Sequence, residues 1–344
     1  MKISNGMKNE IKIFTPESWA DYEILDTGEG ERLERFGKYT FVRPFEDAVW
    51  KKTFSKSEWE KADGKFWSSK TGAKGGWTLS LASDGVEDRK NMPRWEMSYK
   101  DIKFFVSPTP FRHFGFFPEQ ASHWDFIEKK ILASSNFSAL RPSQSTVWDP
   151  RAQKIQRSSD DIENLPNSKI KFLNLFGYTG VASLFALRAG AEVTHLDASK
   201  QSLSIAKENQ ILSGLESMPM RIICDDVLKF LEREAKRGNK YDAVIMDPPK
   251  FGRGPKGETW KIEESLPKLL EGVKKVLSDK PLFVILTSYA IDSSSLSLGC
   301  ALRDTMKDFK GEVKQGELCL VEKSNNRLIS LANTAVWESA LGLA

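Results

Sequence analysis

From residue 169 onward the apolar positions switch repeatedly between two spacings. Short apolar runs, "KIKFLNLF", "EVTHLD", "MRIIC", "YDAVIM" and "PLFVILTS", predict strands. Between them, "VASLFALRAG" predicts a helix ended by Gly190, and "KQSLSIAKENQIL" one that Ser199 can N-cap. The helix after "MRIIC" places Val227, Phe230, Leu231 and Ala235 on one face. A helix from about residue 261 aligns Ile262, Leu266, Leu269, Leu270, Val273 and Leu277, and another covers about 294 to 308. "ELCLVE", a turn at "SNN" and "RLISLANTAVW" predict a closing hairpin. Strand and helix alternate five times, so the fold class is α/β: a mostly parallel sheet with helices on both faces and one antiparallel strand from the hairpin.

The earlier part reads differently. Residues 20 to 112 are rich in turns and tryptophan, with alternating runs such as "KYTFVRP", "GWTLSL" and "RWEMSYKDIKFFVSP". They predict a smaller, mostly β domain, with a flexible loop at "SSKTGAKGG" (68 to 76). "HFGFFPEQASHWDFIEKKIL" is a turn leading into a helix from about 119, and 134 to 168 is polar and irregular, a surface linker. The expected division is therefore 1–112, a connecting helix and linker at 113–168, and 169–344. A length of 344 residues suits two domains.

Composition narrows the function classes. The chain is 40% hydrophobic and 28% charged with a net charge of +4, an excess that tolerates nucleic acid without demanding it. Cys224, Cys300 and Cys319 are far apart and form no C-x-x-C, and the three histidines form no H-E-x-x-H, so no protein-held metal is expected. No apolar run reaches membrane-spanning length, and "MKISNGMKNEIKIF" is no secretory signal; a cytoplasmic protein is expected.

In an α/β sheet, ligands bind at the carboxyl ends of the strands. After the first of these strands comes "FGYTG", after the second Asp197, after the third Asp225 and Asp226, and after the fourth Asp247-Pro248-Pro249-Lys250. The glycine turn is G-x-x-G, not G-x-G-x-x-G, so a pyrophosphate has no cradle. Read alone, Gly177 and Gly180 make a plain tight turn. Asp197 can accept from both ribose hydroxyls or lie exposed in a loop. Asp226 can cap the following helix or accept from an adenine amino group, with Asp225 competing. Together they offer a ribose site, an adenine site and a close backbone, but nothing for a diphosphate. S-adenosyl-L-methionine matches that set.

"FLNLFGYTGVASLFALRAGAEVTHLDASKQSLSIAKEN", "CDDVLKFLEREAKRGNKYDAVIMDPPKFGRGPKGETWKIEESLP" and "FGFFPEQASHW" resemble the S-adenosylmethionine-dependent methyltransferase family that includes large-subunit (23S) ribosomal RNA methyltransferases. "RLERFG" and "RPFEDAVW" extend the resemblance to roughly residues 20 to 344. It implies a Rossmann-like class I methyltransferase fold. It also implies that Phe176, Gly177, Tyr178, Thr179 and Gly180 border the methionine part of the cofactor. Asp197 would hold the ribose, Ala198 and Ser199 would lie beside the adenosine, and Asp226 with Val227 would hold the adenine. Phe117 and Gln120 of "FFPEQ" would reach the cofactor from outside the sheet, although Phe117 can equally be a packing aromatic.

Asp247, Pro248, Pro249 and Lys250 resemble the D/N-P-P-Y motif of enzymes that methylate nucleobase nitrogens. An amino group held by the Asp247 carboxylate and the Pro248 carbonyl would be aimed for in-line transfer, on a turn stiffened by Pro249. Lys250 stands where an aromatic would stack on a flipped base; Phe251 is the substitute candidate. Lys250, Arg253 and Lys256 make the loop basic, either to contact phosphates or simply as a solvated loop; glycines at 252, 254 and 257, which would let it close on a substrate, favour the former. Relatives that methylate cytosine at carbon use a cysteine nucleophile; "ILTSYAID" and the Asp-Pro-Pro loop contain none, which argues against that reaction. Arg32, Arg35, Arg43, Trp50, Lys51 and Lys52 are the candidates for RNA docking; residue by residue, Trp50 as a core side chain and the charges as a solvated surface fit equally well. The expected activity is methylation of a base nitrogen in RNA, ribosomal RNA first. The alternative is a protein or small-molecule acceptor. A nicotinamide oxidoreductase lacks its glycine fingerprint here, and an RNA-binding protein without activity would not need the Asp247 loop.

Overall fold

The computed structural model describes residues 10–68, 75–80, 94–134, 169–289 and 294–340. Its centre is an eight-stranded sheet in the order Ile11–Phe14, Gly311–Val321, Leu328–Ser339, Phe283–Ser288, Ala243–Met246, Lys171–Leu175, Glu192–Asp197, Met220–Cys224. The five strands from Phe283–Ser288 to Met220–Cys224 run parallel, and Leu328–Ser339 is antiparallel to its neighbours on both sides. Both arms of the closing hairpin join the sheet, and Gly311–Val321 carries Ile11–Phe14 in parallel on its far edge.

The central strands are continuous apolar runs because both of their faces are covered. Strand periodicity then sorts alternate residues into two layers. Phe172, Ala243, Ile245, Phe283 and Ile285 pack in one layer with helices Ala121–Ser134 and Val181–Arg188. Leu173, Leu175, Val244, Met246, Val284 and Leu286 pack in the other, against helices Val227–Lys236, Ile262–Val276 and Ser295–Met306. Helix Ile262–Val276 opens on Glu263 and Glu264 and ends on Lys274 and Lys275, the charge order its dipole favours.

The N-terminal part forms a five-stranded sheet, Tyr22–Gly28, Glu31–Phe36, Tyr39–Pro44, Gly64–Ser68 and Gly75–Leu79, and a hairpin, Trp95–Tyr99 with Ile102–Val106. Tyr22, Phe36, Phe41, Met97 and Tyr99 belong to the same buried layer as Trp124 and Phe185. The N-terminal sheet and the central sheet therefore share one buried layer, and Ile11–Phe14, which precedes residue 112, is itself a strand of the central sheet. Asn209, fully buried, joins them: its Oδ1 accepts from the Phe105 amide at 2.9 Å and its Nδ2 donates to the Thr179 carbonyl at 2.9 Å. Gly75 and Gly76 of the expected 68–76 loop lie in a strand, whereas 69–74 and the expected linker beyond Ser134 fall outside the described residues.

Candidate active site

The chain leaves the central strand Lys171–Leu175 toward Met220–Cys224, then returns to add Ala243–Met246 on its other side. A crevice opens where the strand order reverses. There the turn Phe176–Gly180 and the segment Asp247–Lys250 face each other across a cavity of about 760 Å³. Phe117, Gln120, Phe176, Gly177, Tyr178, Thr179, Gly180, Asp197, Ala198, Ser199, Asp226, Val227, Asp247, Pro248, Pro249 and Lys250 all line this cavity.

The glycine turn is shaped by what lies beneath it. A Cβ on Gly177 would stand 2.3 Å from His195 Cε1, and one on Gly180 would stand 2.9 Å from Ala206 Cβ. Gly180 has φ of 87°, and Phe176 and Tyr178 are also left-handed, at 59° and 52°. His195 is fully buried, and burial lowers its pKa to about 4, so the ring is neutral. Its Nε2 lies 3.2 Å from the Tyr178 carbonyl, which can only accept, so Nε2 carries the proton. Nδ1 then accepts from the Ser183 hydroxyl at 2.9 Å, and Ser183 accepts from Asn174 Nδ2 at 2.9 Å. The turn's geometry is thus fixed from inside by a side-chain chain that the sequence pattern did not single out.

Asp197 fastens the turn from the other side. Its Oδ2 accepts from the Tyr178 amide at 2.9 Å and its Oδ1 from the Ser199 amide at 2.8 Å. Burial raises its pKa, and these amides partly oppose the shift. Ser199 caps helix Lys200–Leu212, accepting from the Ser202 amide at 3.2 Å. Asp226 caps the next helix through the Lys229 amide at 3.0 Å and also lines the cavity. Its competitor Asp225 is ion-paired with Arg233.

Asp247 sits on the cavity floor. Gln120 Nε2 donates to its Oδ2 at 3.2 Å. Burial first, and then the charge of Glu119, push its pKa well above the usual carboxylate range. Trp260 Nε1 donates to the Pro249 carbonyl at 2.6 Å and its ring meets Phe176 edge-on at 4.9 Å, clamping the two loops together. Phe117 is both cavity wall and packing aromatic, 4.8 Å from the Tyr289 ring and 5.5 Å from His113.

Three expectations are corrected. Residues 251 to 261 are not an open flexible loop: Phe251–Arg253 pairs antiparallel with Thr259–Lys261. The glycines shape its turn, with Gly257 at φ of 86° and the Gly254 amide on the Glu258 carbonyl at 2.8 Å. Phe251 is 56% exposed and is absent from the cavity wall, so it is no substitute for the stacking aromatic. Most of the proposed RNA-docking residues have internal duties. Arg32 and Arg43 pair with buried Glu34, Arg35 pairs with Glu23, and Lys52 pairs with Glu31. The Trp50 indole donates to Thr27. Lys51 is exposed. Arg32 and Arg43 do reach the cavity, beside Arg112, His113, Glu119 and Tyr289, which the sequence reading left without a role.

The family described as "Conserved hypothetical protein 95" matches residues 127–276. The structure is similar to that of the SAM-dependent methyltransferase from Agrobacterium tumefaciens, with a TM-score of 0.79 and 36% identity, covering 95% of this chain and 93% of that one. The chain belongs to the S-adenosylmethionine-dependent methyltransferases. Its fold is that of the class I enzymes, and its cofactor is S-adenosyl-L-methionine. Ribosomal RNA large subunit methyltransferase I of Aeromonas hydrophila is 40% identical over 82 residues, which is 24% of this chain and 21% of that protein. Ribosomal RNA large subunit methyltransferase K of Neisseria meningitidis serogroup B is 34% identical over 110 residues, 31% of each. The chain thus spans less than a third of these curated relatives. The residues present fit the cofactor. The turn over His195 leaves no room for a Cβ at Gly177, and Asp197 and Asp226 line the cavity. Among the described residues no group of histidine, cysteine and carboxylate side chains could hold a metal, and no helix is long and apolar enough to cross a membrane.

Proposed function

We propose that this protein is a cytoplasmic enzyme that methylates a base nitrogen of RNA, ribosomal RNA first. The observation that carries the reading is Asp247, a carboxylate on the cavity floor at the sheet's switch point, oriented by Gln120. The two ribosomal RNA methyltransferases named above support RNA as the acceptor. Asp197, Ala198 and Ser199 would flank the ribose and adenosine, Asp226 and Val227 the adenine, and Phe176 to Gly180 the methionine. S-adenosylmethionine, when bound, supplies an electrophilic methyl group. Asp247 and the Pro248 carbonyl orient an amino group for in-line attack. A conjugated amine acquires positive charge as it is methylated; the carboxylate stabilises that charge and, with its raised proton affinity, takes the proton released.

No cysteine lines the cavity among the described residues, which supports transfer to nitrogen and not to carbon 5 of cytosine. The test compares nucleoside masses of ribosomal RNA from cells with and without the gene. One methylated nucleoside should vanish on deletion and return with the wild-type gene but not with Asp247→Ala. Unchanged RNA would overturn the reading.

A further inference from the structure

The wall that the N-terminal sheet gives to the cavity holds a cation that its acids leave largely unused. Glu34 is fully buried and already well supplied: Arg43 donates to it from Nε and Nη2 at 2.6 Å each, and the Tyr22 hydroxyl at 2.7 Å. Arg32 is a second guanidinium on that one carboxylate. Its Nε lies 3.2 Å from Glu34 Oε2 but is buried without a closed hydrogen bond. Among the described residues its two Nη groups make no hydrogen bond. The side chain is 14% exposed and lines the cavity, with the Phe45 ring 5.6 Å from its guanidinium. Glu119, the other acid in its field, is not ion-paired with it, and burial raises the pKa of that carboxyl. A mostly buried cation with spare donors costs free energy unless an anion completes it, so its place on a cavity wall points to an anionic ligand.

The same wall continues to the cavity's edge. Arg43 Nη1 donates to the Arg112 carbonyl at 2.8 Å, which fixes that segment in place. Arg112 lines the cavity, and its guanidinium donates to Glu46 at 3.2 Å in a pair more than half exposed, which a stronger anion can displace. Phe111 beside it is 68% exposed, and its ring stacks on His113, another wall residue, at 5.8 Å. Its carbonyl accepts from Thr109 Oγ1 at 3.1 Å and Trp77 Nε1 at 3.3 Å, so the backbone that presents the ring is pinned. Guanidinium groups beside an open aromatic face suit a nucleotide, whose phosphate takes the donors and whose base takes the ring. We propose that this wall grips the RNA strand next to the target nucleotide, with phosphates on Arg32 and Arg112 and a neighbouring base on Phe111. This rests on the RNA reading above and adds where the strand is held. The cofactor's own carboxylate offers Arg32 the same chemistry, and the test separates the two.

The test uses the full chain, S-adenosylmethionine and a ribosomal RNA fragment carrying the nucleotide that the enzyme methylates. Arg32→Gln and Arg112→Ala should each flatten the slope of log affinity against log salt by about 0.7, the share of one phosphate on a single strand, and leave S-adenosylmethionine affinity unchanged. A neutral methylphosphonate beside the target nucleotide should cost wild type about tenfold or more in RNA affinity and cost Arg32→Gln almost nothing further. An abasic neighbour should cost wild type about tenfold and Phe111→Ala little. Arg112 and Phe111 are exposed, so their variants report on the strand even where Arg32→Gln fails to fold. Equal losses in wild type and variants would overturn the subsite while sparing the RNA reading. Weaker S-adenosylmethionine binding by Arg32→Gln at an unchanged salt slope would give Arg32 to the cofactor's carboxylate and overturn its phosphate role. No methylation of any RNA by the wild-type protein would overturn both readings.

Discussion

Two clusters of buried acids lie in this molecule, and they are built in opposite ways. In the N-terminal sheet, Glu34 is fully buried, yet it accepts from Arg43 Nε and Nη2 at 2.6 Å each and from the Tyr22 hydroxyl at 2.7 Å. Burial alone would raise its pKa, but Arg32 and Arg43 outweigh burial and hold it below the usual range. At the cavity, Glu119 and Asp247 are withdrawn from bulk water without a bonded cation, and burial drives both upward. The first cluster is closed and structural. The second faces the cavity, and in the proposed function Asp247 meets the substrate there.

Removing an acid should therefore have opposite consequences at the two places. Glu34→Ala would strand two buried guanidinium groups and cost about 3–5 kcal/mol in denaturant unfolding. Glu119→Gln should instead stabilise the fold, and only at higher pH. A folded-state pKa raised above the unfolded one gives stability that is present at low pH and lost as pH rises through the folded value. The substitution removes that loss, so its gain should be seen at pH 8 and vanish near pH 4. For Glu34, with its lowered value, wild-type stability should fall as the solution is acidified through the folded pKa. Equal effects of the two substitutions would erase the distinction. A smaller effect tests the neighbouring cofactor wall: Asp197→Asn should weaken S-adenosylmethionine binding by about 1.5–3 kcal/mol in calorimetry, the range for a hydrogen bond to a charged group. Unchanged affinity would remove Asp197 from the ribose site.

The sequence showed the scaffold more clearly than the chemistry around it. Alternating periods predicted the parallel sheet, because helices cover both faces and make its strands apolar throughout. Strand ends then pointed to Asp197, Asp226 and Asp247, because ligands of an α/β sheet bind at the carboxyl ends of its strands, although a loop aspartate and a helix cap fitted the first two as well. Ile11–Phe14 was invisible, because four residues on a sheet edge carry too little period to read. The duties of Arg32 and Arg43 were misread because ion pairing with Glu34 comes from tertiary packing across strands. Glu119 and Tyr289 passed without a role for the same reason. Nothing local in "FFPEQ" or "ILTSYAID" says that the two residues meet at one cavity. His195 carries no signal of its own; only the turn packed on it explains why Gly177 must be glycine.

The most direct test of the open acid cluster is the methyl-transfer rate of Asp247→Ala on ribosomal RNA at saturating S-adenosylmethionine, measured beside its affinity for that cofactor. The rate should fall by roughly 10²–10⁴-fold, the range for losing a positioned acid–base group, while the affinity stays near that of wild type. A rate within a few-fold of wild type would contradict the role assigned to Asp247.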